Sequence, residues 1–254
     1  MEENFCYLQA EDGVRLAYEF SPGTAPTVVF LSGFASHMGG TKAMHLQQWC
    51  RDHGRAYLRL DYRGHGKSDG EFEAGTVGVW AADALTVLRA ATRGPVLLIG
   101  SSMGAWIMLL VARELGEQVC AMIGLASAPD FTEELIHAHL DAKQRAQLNR
   151  DGRLERASNY DQGPNVVTLR MIEQGRHCLQ LQEIIPLRCP VRLIHGLADP
   201  DVPWEISLRL CDRLEAEDVL VTLVKDAGHR LSASRELRLL TDTLRCLLSS
   251  IEEH

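Results

Sequence analysis

Gly100-Ser101-Ser102-Met103-Gly104 is the stretch of this sequence that decides the fold. It follows the apolar run Val96-Leu97-Leu98-Ile99, which predicts a buried strand, and precedes residues 105–110, which predict a helix. A Gly-x-Ser-x-Gly turn between strand and helix holds its middle serine, here Ser102, in a strained conformation above the sheet edge. The flanking glycines let strand and helix approach closely. The stretch predicts a nucleophile elbow, and a tight turn without chemistry is the competing interpretation.

Strand and helix patterns alternate on both sides of this turn. Residues 7–20 alternate around Asp12-Gly13, which predicts a β-hairpin followed by a loop over residues 21–26. Further strands are predicted at 27–31, 56–60, 119–125, 191–194 and 219–224, and helices at 41–53, 76–92, 204–214 and 234–251. A hairpin followed by repeated strand-helix units predicts one α/β domain over residues 1–254, with a mainly parallel sheet and helices on both faces.

The regular alternation stops between residues 129 and 186. Helical patterns at 133–147 and 166–173 are joined there by polar, glycine-containing turns. The segment is too short and too polar to have a large core of its own. We therefore predict that residues 129–186 form a small helical cap inserted into the domain.

Composition excludes several classes of function. Lysine and arginine total 26 against 34 aspartates and glutamates, a net charge of -8, so nucleic acid is not an expected partner. No window approaches 18 uninterrupted apolar residues, so no membrane span is predicted. The seven cysteines form no Cys-x-x-Cys pair, which predicts reduced thiols and no metal site. Residues 61–70 lack the glycines of a P-loop or dinucleotide fingerprint, and no cofactor is predicted.

A serine nucleophile needs a base, and the base needs an acid that orients it. The strand predicted at 191–194 runs into a loop that carries Asp199, and the strand predicted at 219–224 runs into a loop that carries His229. With Ser102, these residues follow the chain order serine, acid, histidine. All three emerge at the edge where open parallel sheets bind their ligands. We predict that they form a catalytic triad.

Two other acids compete with Asp199 for the role beside the base. Asp201 lies two residues further on, and Asp130 follows the preceding strand. Among the ten histidines, only His229 combines a Gly-His turn with the required place in the chain order. His65 and His195 are interpreted as structural residues of a turn and a strand end.

An oxyanion hole requires two backbone donors near the nucleophile. Met103 begins the helix after the elbow, where backbone N–H groups lack intrahelical acceptors, so its N–H is the first donor. The loop after residues 27–31 supplies the second donor, the N–H of Phe34. The Phe34 side chain is then free to line an acyl pocket. Four further apolar side chains are candidates for the pocket wall, with core packing as the alternative for each: Met38, Trp106, Met171 and Trp204.

Several motifs besides the elbow carry a family resemblance. They are Gly33-Phe34, residues 61–68 (Asp-Tyr-Arg-Gly-His-Gly-Lys-Ser), residues 195–203 (His-Gly-x-x-Asp-x-x-Val-Pro) and Gly228-His229. On these marks nearly the whole chain resembles the α/β-hydrolase family. The resemblance implies a serine hydrolase of esters or thioesters in which Ser102, Asp199 and His229 are the triad.

A narrower resemblance concerns one branch of that family. Residues 33–43, Arg176-His177-Cys178 and Val202-Pro203-Trp204 are similar to the branch that contains the mycophenolic acid acyl-glucuronide esterase, also described as a palmitoyl-protein thioesterase. The resemblance implies a small-molecule or acyl-protein substrate. We expect a cytoplasmic protein. Animal members of the branch are mitochondrial, so a protein of the mitochondrial matrix is expected instead if the chain is a trimmed mature form. We expect a monomer or a small homo-oligomer.

Three alternatives to hydrolysis remain at this point. The same triad serves acyltransferases and cofactor-free perhydrolases, which differ only in the acceptor. A hydrolase fold that merely binds a partner is a third class, and the intact serine, aspartate and histidine argue against it.

Overall fold

The structure is a computed structural model and describes residues 5–156 and 165–252. The strands of the described chain are β1 (Cys6–Gln9), β2 (Arg15–Ser21), β3 (Thr24–Leu31), β4 (Arg55–Leu60), β5 (Val96–Ser101), β6 (Val119–Leu125), β7 (Arg153–Arg156), β8 (Asn165–Thr168), β9 (Val191–Gly196) and β10 (Val219–Val224). The α-helices are α1 (Thr41–Asp52), α2 (Val77–Ala91), α3 (Met103–Leu115), α4 (Ala142–Asp151), α5 (Leu169–Gly175), α6 (Glu205–Arg213) and α7 (Ser234–Glu252).

The central sheet contains eight of the described strands, in the order β1-β2-β4-β3-β5-β6-β9-β10. β2 is antiparallel to β1 and β4, and every other neighbouring pair is parallel. The predicted N-terminal hairpin is therefore confirmed, and so is the mainly parallel sheet. Because β3, β5, β9 and β10 run in the same direction, their carboxyl ends lie at one edge of the sheet.

Helices cover both faces of this sheet because its central strands are apolar on both sides. Leu98 of β5 packs in one core with α2, α3 and α6, while Leu97 and Ile99 pack in a second core with α1 and α7. The alternation follows from the two-residue period of a strand, which sends successive side chains to opposite faces. All three side chains are fully buried. The fold is that of an α/β-hydrolase.

The loop predicted over residues 21–26 is shorter than predicted and comprises residues 22 and 23. β2 extends to Ser21, and β3 already begins at Thr24, which pairs with Arg55 of β4. The pairing register shifts between Thr24 and Val28. Pro26 lies within that irregular stretch, where a missing backbone N–H is tolerated, so proline and glycine here mark a bulged strand entry.

The region predicted as a helical cap is less helical than its pattern indicates. The helix predicted at 133–147 is divided into a π-helical turn, Thr132–Ile136, a 3₁₀ turn, His137–His139, and α4. Asp141 begins α4 with a capping box to Gln144, and a capped N-terminus starts a new helix. Residues 157–164 of the predicted cap lie outside the described residues.

The helix predicted at 166–173 is wrong in its first half. Residues 165–168 form β8, which pairs antiparallel with β7, and α5 begins only at Leu169. Thr168 caps α5 by accepting a 3.1 Å hydrogen bond from the N–H of Met171. The β-branched run of residues 166–168 favours a strand, and Val167 is buried when it pairs there. In the described part of the chain, no helix combines the length and apolarity needed to cross a membrane.

Candidate active site

Ser102 lies at the strand-to-helix turn in a strained backbone conformation. Its φ is 56° and its ψ is -120°, a region that residues other than glycine rarely adopt. The turn is held on the neighbouring strand, since the Ser102 N–H donates to the Leu125 carbonyl at 2.9 Å. A Cβ at Gly104 would lie 2.1 Å from the Leu31 carbonyl oxygen, and one at Gly100 would lie 2.5 Å from the Gly104 carbonyl oxygen. Both positions therefore require glycine.

The three residues predicted as a triad lie in one hydrogen-bonded row. The Ser102 hydroxyl donates to Nε2 of His229 across 2.9 Å, and Nδ1–H of His229 donates to Oδ2 of Asp199 across 2.8 Å. The Asp199 side chain is 0% exposed and that of His229 is 14% exposed. Nε2 is then the basic nitrogen facing the serine, which is the tautomer that a serine nucleophile requires.

The loops after β9 and β10 bring the acid and the base together. A Cβ at Gly196 would lie 2.2 Å from the Ala227 carbonyl oxygen, so the two loops pack backbone to backbone. The N–H of Ala198 donates to that same carbonyl at 3.0 Å. Asp226 turns the chain towards His229 with a φ of 62°. The contact between the two adjacent loops thus holds the Gly228-His229 turn in place beside Asp199.

The Asp199 carboxylate is buried and fully engaged. Oδ1 accepts from the N–H groups of Asp201 and Val202, both at 2.9 Å, and Oδ2 accepts from His195 Nε2 at 3.2 Å besides His229. Burial by itself raises the pKa of the Asp199 carboxyl, but the hydrogen bonds from His195 and His229 outweigh it and hold that pKa well below its usual range. Asp199 is therefore an anion at neutral pH.

Of the three candidate acids, Asp199 is the one that accepts the hydrogen bond from Nδ1–H of His229. Asp130 is turned to other partners, the N–H groups of Gln180 and Leu181, each 2.8 Å from one carboxylate oxygen. Burial raises the pKa of Asp130 against the effect of those two bonds. Asp130 anchors the end of the 129–186 segment to the sheet.

Within the described residues, one cluster of two carboxylates and a histidine has the spacing of a metal site. Ligand atoms of Asp199, Asp201 and His229 lie within 4.8 Å of one another. Both ring nitrogens of His229 are engaged, however, one with Asp199 and the other with Ser102. A metal would have to displace one of these bonds, so the donor set fits proton transfer better than metal binding.

Both predicted oxyanion donors border the same cavity as Ser102. Met103 is the first residue of α3, and Phe34 lies in a turn whose next residue, Ala35, has a φ of 51°. A Cβ at Gly33 would lie 3.4 Å from the Ser102 Cβ, so the backbone before Phe34 passes directly over the nucleophile. Their role as oxyanion donors stays a prediction.

A cavity of about 560 Å³ opens over Ser102 and His229. Much of its apolar lining comes from the 129–186 segment and from Phe34, and its polar lining includes three cationic side chains and the carboxylate of Asp201. The apolar group is Phe34, Phe131, Leu135, Ile136 and Val167; the cationic group is Lys42, Arg156 and Arg230. The Lys42 ammonium donates to the Arg230 carbonyl, and burial together with the Arg230 charge lowers the pKa of Lys42 to about 8.

The four side chains predicted as pocket wall are absent from this lining. Met38 is buried in the connection between β3 and α1, where its N–H donates to Asp61 and its carbonyl accepts from Arg59, each at 2.6 Å. Trp106 is buried behind Phe131, with its indole N–H 2.9 Å from the Cys178 carbonyl. Met171 is buried in the core, and Trp204 is half-buried just before α6. Core packing, the alternative interpretation, accounts for Met38, Trp106 and Met171.

Phe34, whose side chain was predicted to line the pocket, borders the cavity, but sequence reasoning missed most of the other wall residues. Phe131, Leu135 and Ile136 lie on the irregular helical turns at the start of the predicted cap, and neither periodicity nor spacing marks them as wall residues. Lys42 carried a signal, because it belongs to the 33–43 motif. The bond between His195 and Asp199 was also missed, although both belong to one His-Gly-x-x-Asp motif.

The fold and this site together define an α/β-hydrolase with a serine at its elbow. A family model described as serine aminopeptidase, S33, matches residues 23–236, and the chain belongs to this family. The mouse (Mus musculus) palmitoyl-protein thioesterase ABHD10, mitochondrial, is 36% identical over 96% of this chain and 82% of its own length. The human protein of that name is 35% identical over 96% of this chain and 80% of its own length. The protein is a hydrolase.

Solved structures agree with this assignment. Alpha/beta hydrolase domain-containing protein 10 from mouse superposes with a TM-score of 0.91 at 35% identity, covering 98% of this chain and 99% of that one. A structure from Agrobacterium vitis S4 superposes with a TM-score of 0.92 at 36% identity, covering 97% and 98%. Est1E from Butyrivibrio proteoclasticus, bound to ferulic acid, has a TM-score of 0.81 at 21% identity, which shows the shared fold alone.

Proposed function

We propose that the protein hydrolyses carboxylic esters and thioesters through an acyl-enzyme formed on Ser102. The observation that carries this proposal is the continuous row from the Ser102 hydroxyl through His229 to the buried Asp199, with distances of 2.9 and 2.8 Å. The strained φ of Ser102 supports it, because strain of this kind persists where the surrounding structure imposes it, often at active sites.

The proposed reaction has two halves. His229 Nε2 takes the Ser102 proton while Oγ attacks the acyl carbonyl, and the N–H groups of Phe34 and Met103 bind the oxyanion. The imidazolium then gives its proton to the departing alcohol or thiol, leaving the acyl group on Oγ. Water, deprotonated by His229, attacks the carbonyl of this acyl-enzyme; the bond to Oγ then breaks, the acid is released, and His229 returns the proton to Oγ of Ser102. Asp199 stays ionised throughout and stabilises the imidazolium.

The cavity lining supports an apolar acyl group and a polar leaving group. Phe131, Leu135 and Ile136 offer a surface on which an acyl chain buries its methylene groups, each worth about 0.8 kcal/mol. Lys42 and Arg230 line the same cavity with positive charge, which suits an anionic substituent such as the carboxylate of an acyl glucuronide. We propose that the substrate is a small acyl ester or an acylated protein, as the names of the relatives suggest.

The remaining assignments belong to the same proposal. We propose a single domain over residues 1–254 in which residues 129–186 cap the site, since Phe131 and Val167 of that segment line the cavity. The reaction as written needs no cofactor. The seven free cysteines suit a reducing compartment. We propose the cytoplasm or the mitochondrial matrix, the second because the names of several relatives include the word mitochondrial. We propose a monomer or small homo-oligomer.

The test is a panel of acyl thioesters and esters assayed with the wild-type protein and with Ser102→Ala. We expect the variant to lose hydrolysis of every substrate and labelling by a fluorophosphonate, which reacts with activated serines. Ser101→Ala is the matched control, because Ser101 is the neighbouring hydroxyl at the end of β5, and it should keep the labelling. Hydrolysis and labelling at wild-type levels in Ser102→Ala would overturn the proposal.

The acceptor is tested separately by product analysis. With water alone the free acid should accumulate, and added alcohols or hydrogen peroxide should divert only a minor share of the acyl group. A dominant ester or peracid product would assign the triad to an acyltransferase or a perhydrolase instead.

A further inference from the structure

A second histidine lies behind the acid that holds His229. His195, the fifth residue of β9, is 0% exposed, and its Nε2 lies 3.2 Å from Asp199 Oδ2 and 3.0 Å from the Val202 carbonyl oxygen. Its Nδ1 lies 2.7 Å from the hydroxyl of Ser207 on α6, a side chain that is also buried. No step of the proposed reaction uses His195 or Ser207.

The hydrogen-bond partners fix the tautomer of this ring. Nε2 faces a carboxylate and a carbonyl, which only accept hydrogen bonds, so Nε2 carries the proton. Nδ1 is then the acceptor of the ring and receives the Ser207 hydroxyl proton. The opposite tautomer would place a lone pair against two oxygens and leave buried polar atoms without partners, which is costly. Asp199 and Val202 therefore select the tautomer of His195, and Ser207 satisfies its remaining nitrogen and holds the ring in place.

The direction of this bond concerns the same oxygen that serves His229. Asp199 Oδ2 accepts from both imidazoles, while Oδ1 is held by the backbone N–H groups of Asp201 and Val202. The backbone N–H groups hold Oδ1 in place. Besides His229 itself, His195 is the side chain that holds Oδ2. A buried carboxylate needs such donors to stay ionised and in place.

From this geometry we infer that His195 and Ser207 are positioning residues, which hold Oδ2 of Asp199 in the line of His229 Nδ1. The inference rests on the proposed function only for its kinetic consequence. It also defines a fixed path from the first turn of α6 to the active site, through Ser207, His195 and Asp199 in turn.

The test compares variants that keep the donor with variants that remove it. His195→Gln can place an amide N–H where Nε2–H lies, whereas His195→Leu has no donor, and Ser207→Ala removes the hydroxyl that holds Nδ1 of the ring. We expect kcat to fall about 10-fold to 100-fold in His195→Leu with KM little changed, less in Ser207→Ala, and least in His195→Gln. Thr241→Val is the control, because it removes a buried hydroxyl from α7, away from the site.

A second readout separates positioning from stability and does not depend on turnover. Because the Nδ1–H of His229 donates to the Asp199 carboxylate across 2.8 Å, we expect it to give a strongly deshielded proton resonance in NMR spectra. We expect this resonance to shift or broaden in His195→Leu and Ser207→Ala, and to stay unchanged in Thr241→Val at temperatures where all variants are folded. Thermal unfolding of each variant defines that range.

The outcomes are distinguishable from failure of the proposed function. An unaltered resonance and an unchanged kcat in folded His195→Leu would overturn the inference while leaving the serine mechanism intact. An equal loss in His195→Gln and His195→Leu would also overturn it, because the retained donor would then have no effect. If Ser102→Ala stays active, the proposed function fails, and the resonance still reports whether His195 positions Asp199.

Discussion

The two sides of the cavity are built in opposite ways. The catalytic edge, residues 33–34, 100–104, 195–202 and 226–229, is made of strand ends whose polar groups are paired and whose glycines touch neighbouring backbone. The predicted cap, residues 129–186, combines π-helical and 3₁₀ turns with the short β7–β8 pair. Its ion pair between Glu133 and Arg176 is partly exposed, unlike the buried bonds of Asp199.

This difference separates chemistry from selectivity. Buried hydrogen bonds and close backbone contacts tolerate little change, so the catalytic edge fixes where the reaction takes place. Exposed ion pairs contribute at most about 1 kcal/mol, so the cap segment can vary without loss of the fold. The comparison implies that substitutions at the edge abolish activity or stability, whereas changes at exposed positions of the cap segment have small effects.

The largest expected effect is at the acid. Asp199→Asn keeps the size of the side chain but turns one oxygen into a donor that opposes Nδ1–H of His229, and it removes the charge that stabilises the imidazolium. We expect kcat to fall about 10,000-fold. The measurement is steady-state hydrolysis of one acyl thioester with the variants Asp199→Asn, Asp201→Asn and Asp130→Asn.

Asp201→Asn and Asp130→Asn are the matched controls, because both acids were open candidates from the sequence. Each should retain kcat within about tenfold, since Nδ1–H of His229 donates to Asp199. A loss in Asp201→Asn as large as that in Asp199→Asn would break the assignment of the acid.

The next effect compares one glycine from each side of the cavity. An alanine at Gly104 would place its Cβ 2.1 Å from the Leu31 carbonyl oxygen, which belongs to tightly packed backbone. We expect Gly104→Ala to lower the free energy of unfolding by about 3 kcal/mol or more. Chemical denaturation measures it.

Gly152, which ends α4 in the cap segment, is the control. Its φ is +71° and a Cβ added there would have no atom within 4 Å, so Gly152→Ala meets only backbone strain. We expect a cost of about 1 kcal/mol. Equal costs at the two positions would contradict the contrast between a packed edge and an open cap segment.

The smallest effect concerns pH and a histidine near the edge. His65 is buried among Tyr62, Phe72 and Trp80, with ring centroids 5.0 to 5.5 Å away, and burial lowers its pKa to about 4. The unfolded chain binds the proton at about pH 6.5, so the stability due to neutral His65 is complete above that pH and is lost as the pH falls towards 4.

We therefore expect the stability difference between the wild type and His65→Asn to narrow by about 2 kcal/mol between about pH 7.5 and about pH 5. Asparagine does not titrate, and its amide can keep the bond that His65 Nδ1–H donates to the Arg63 carbonyl. Denaturation at both pH values gives the difference directly. A constant difference would mean that His65 titrates normally in the folded protein.

The accuracy of sequence reasoning follows the same division. Apolar runs such as residues 96–99 and 119–125 predicted strands because burial on both faces leaves a strong pattern, and the chain order placed Ser102, Asp199 and His229 at one sheet edge. The cavity wall was not predictable in this way. Met38, Trp106 and Met171 are apolar like Phe131 and Leu135, and only tertiary packing decides which of them face the cavity.

The central claim is that the acyl group passes through Ser102. The most direct measurement is rapid acid quenching of the protein during turnover of an acyl thioester, followed by peptide mass spectrometry. We predict that the acyl mass appears on the peptide carrying Ser102 and that it is absent in Ser102→Ala. Acylation of a cysteine peptide at the rate of turnover, with the Ser102 peptide unmodified, would contradict it.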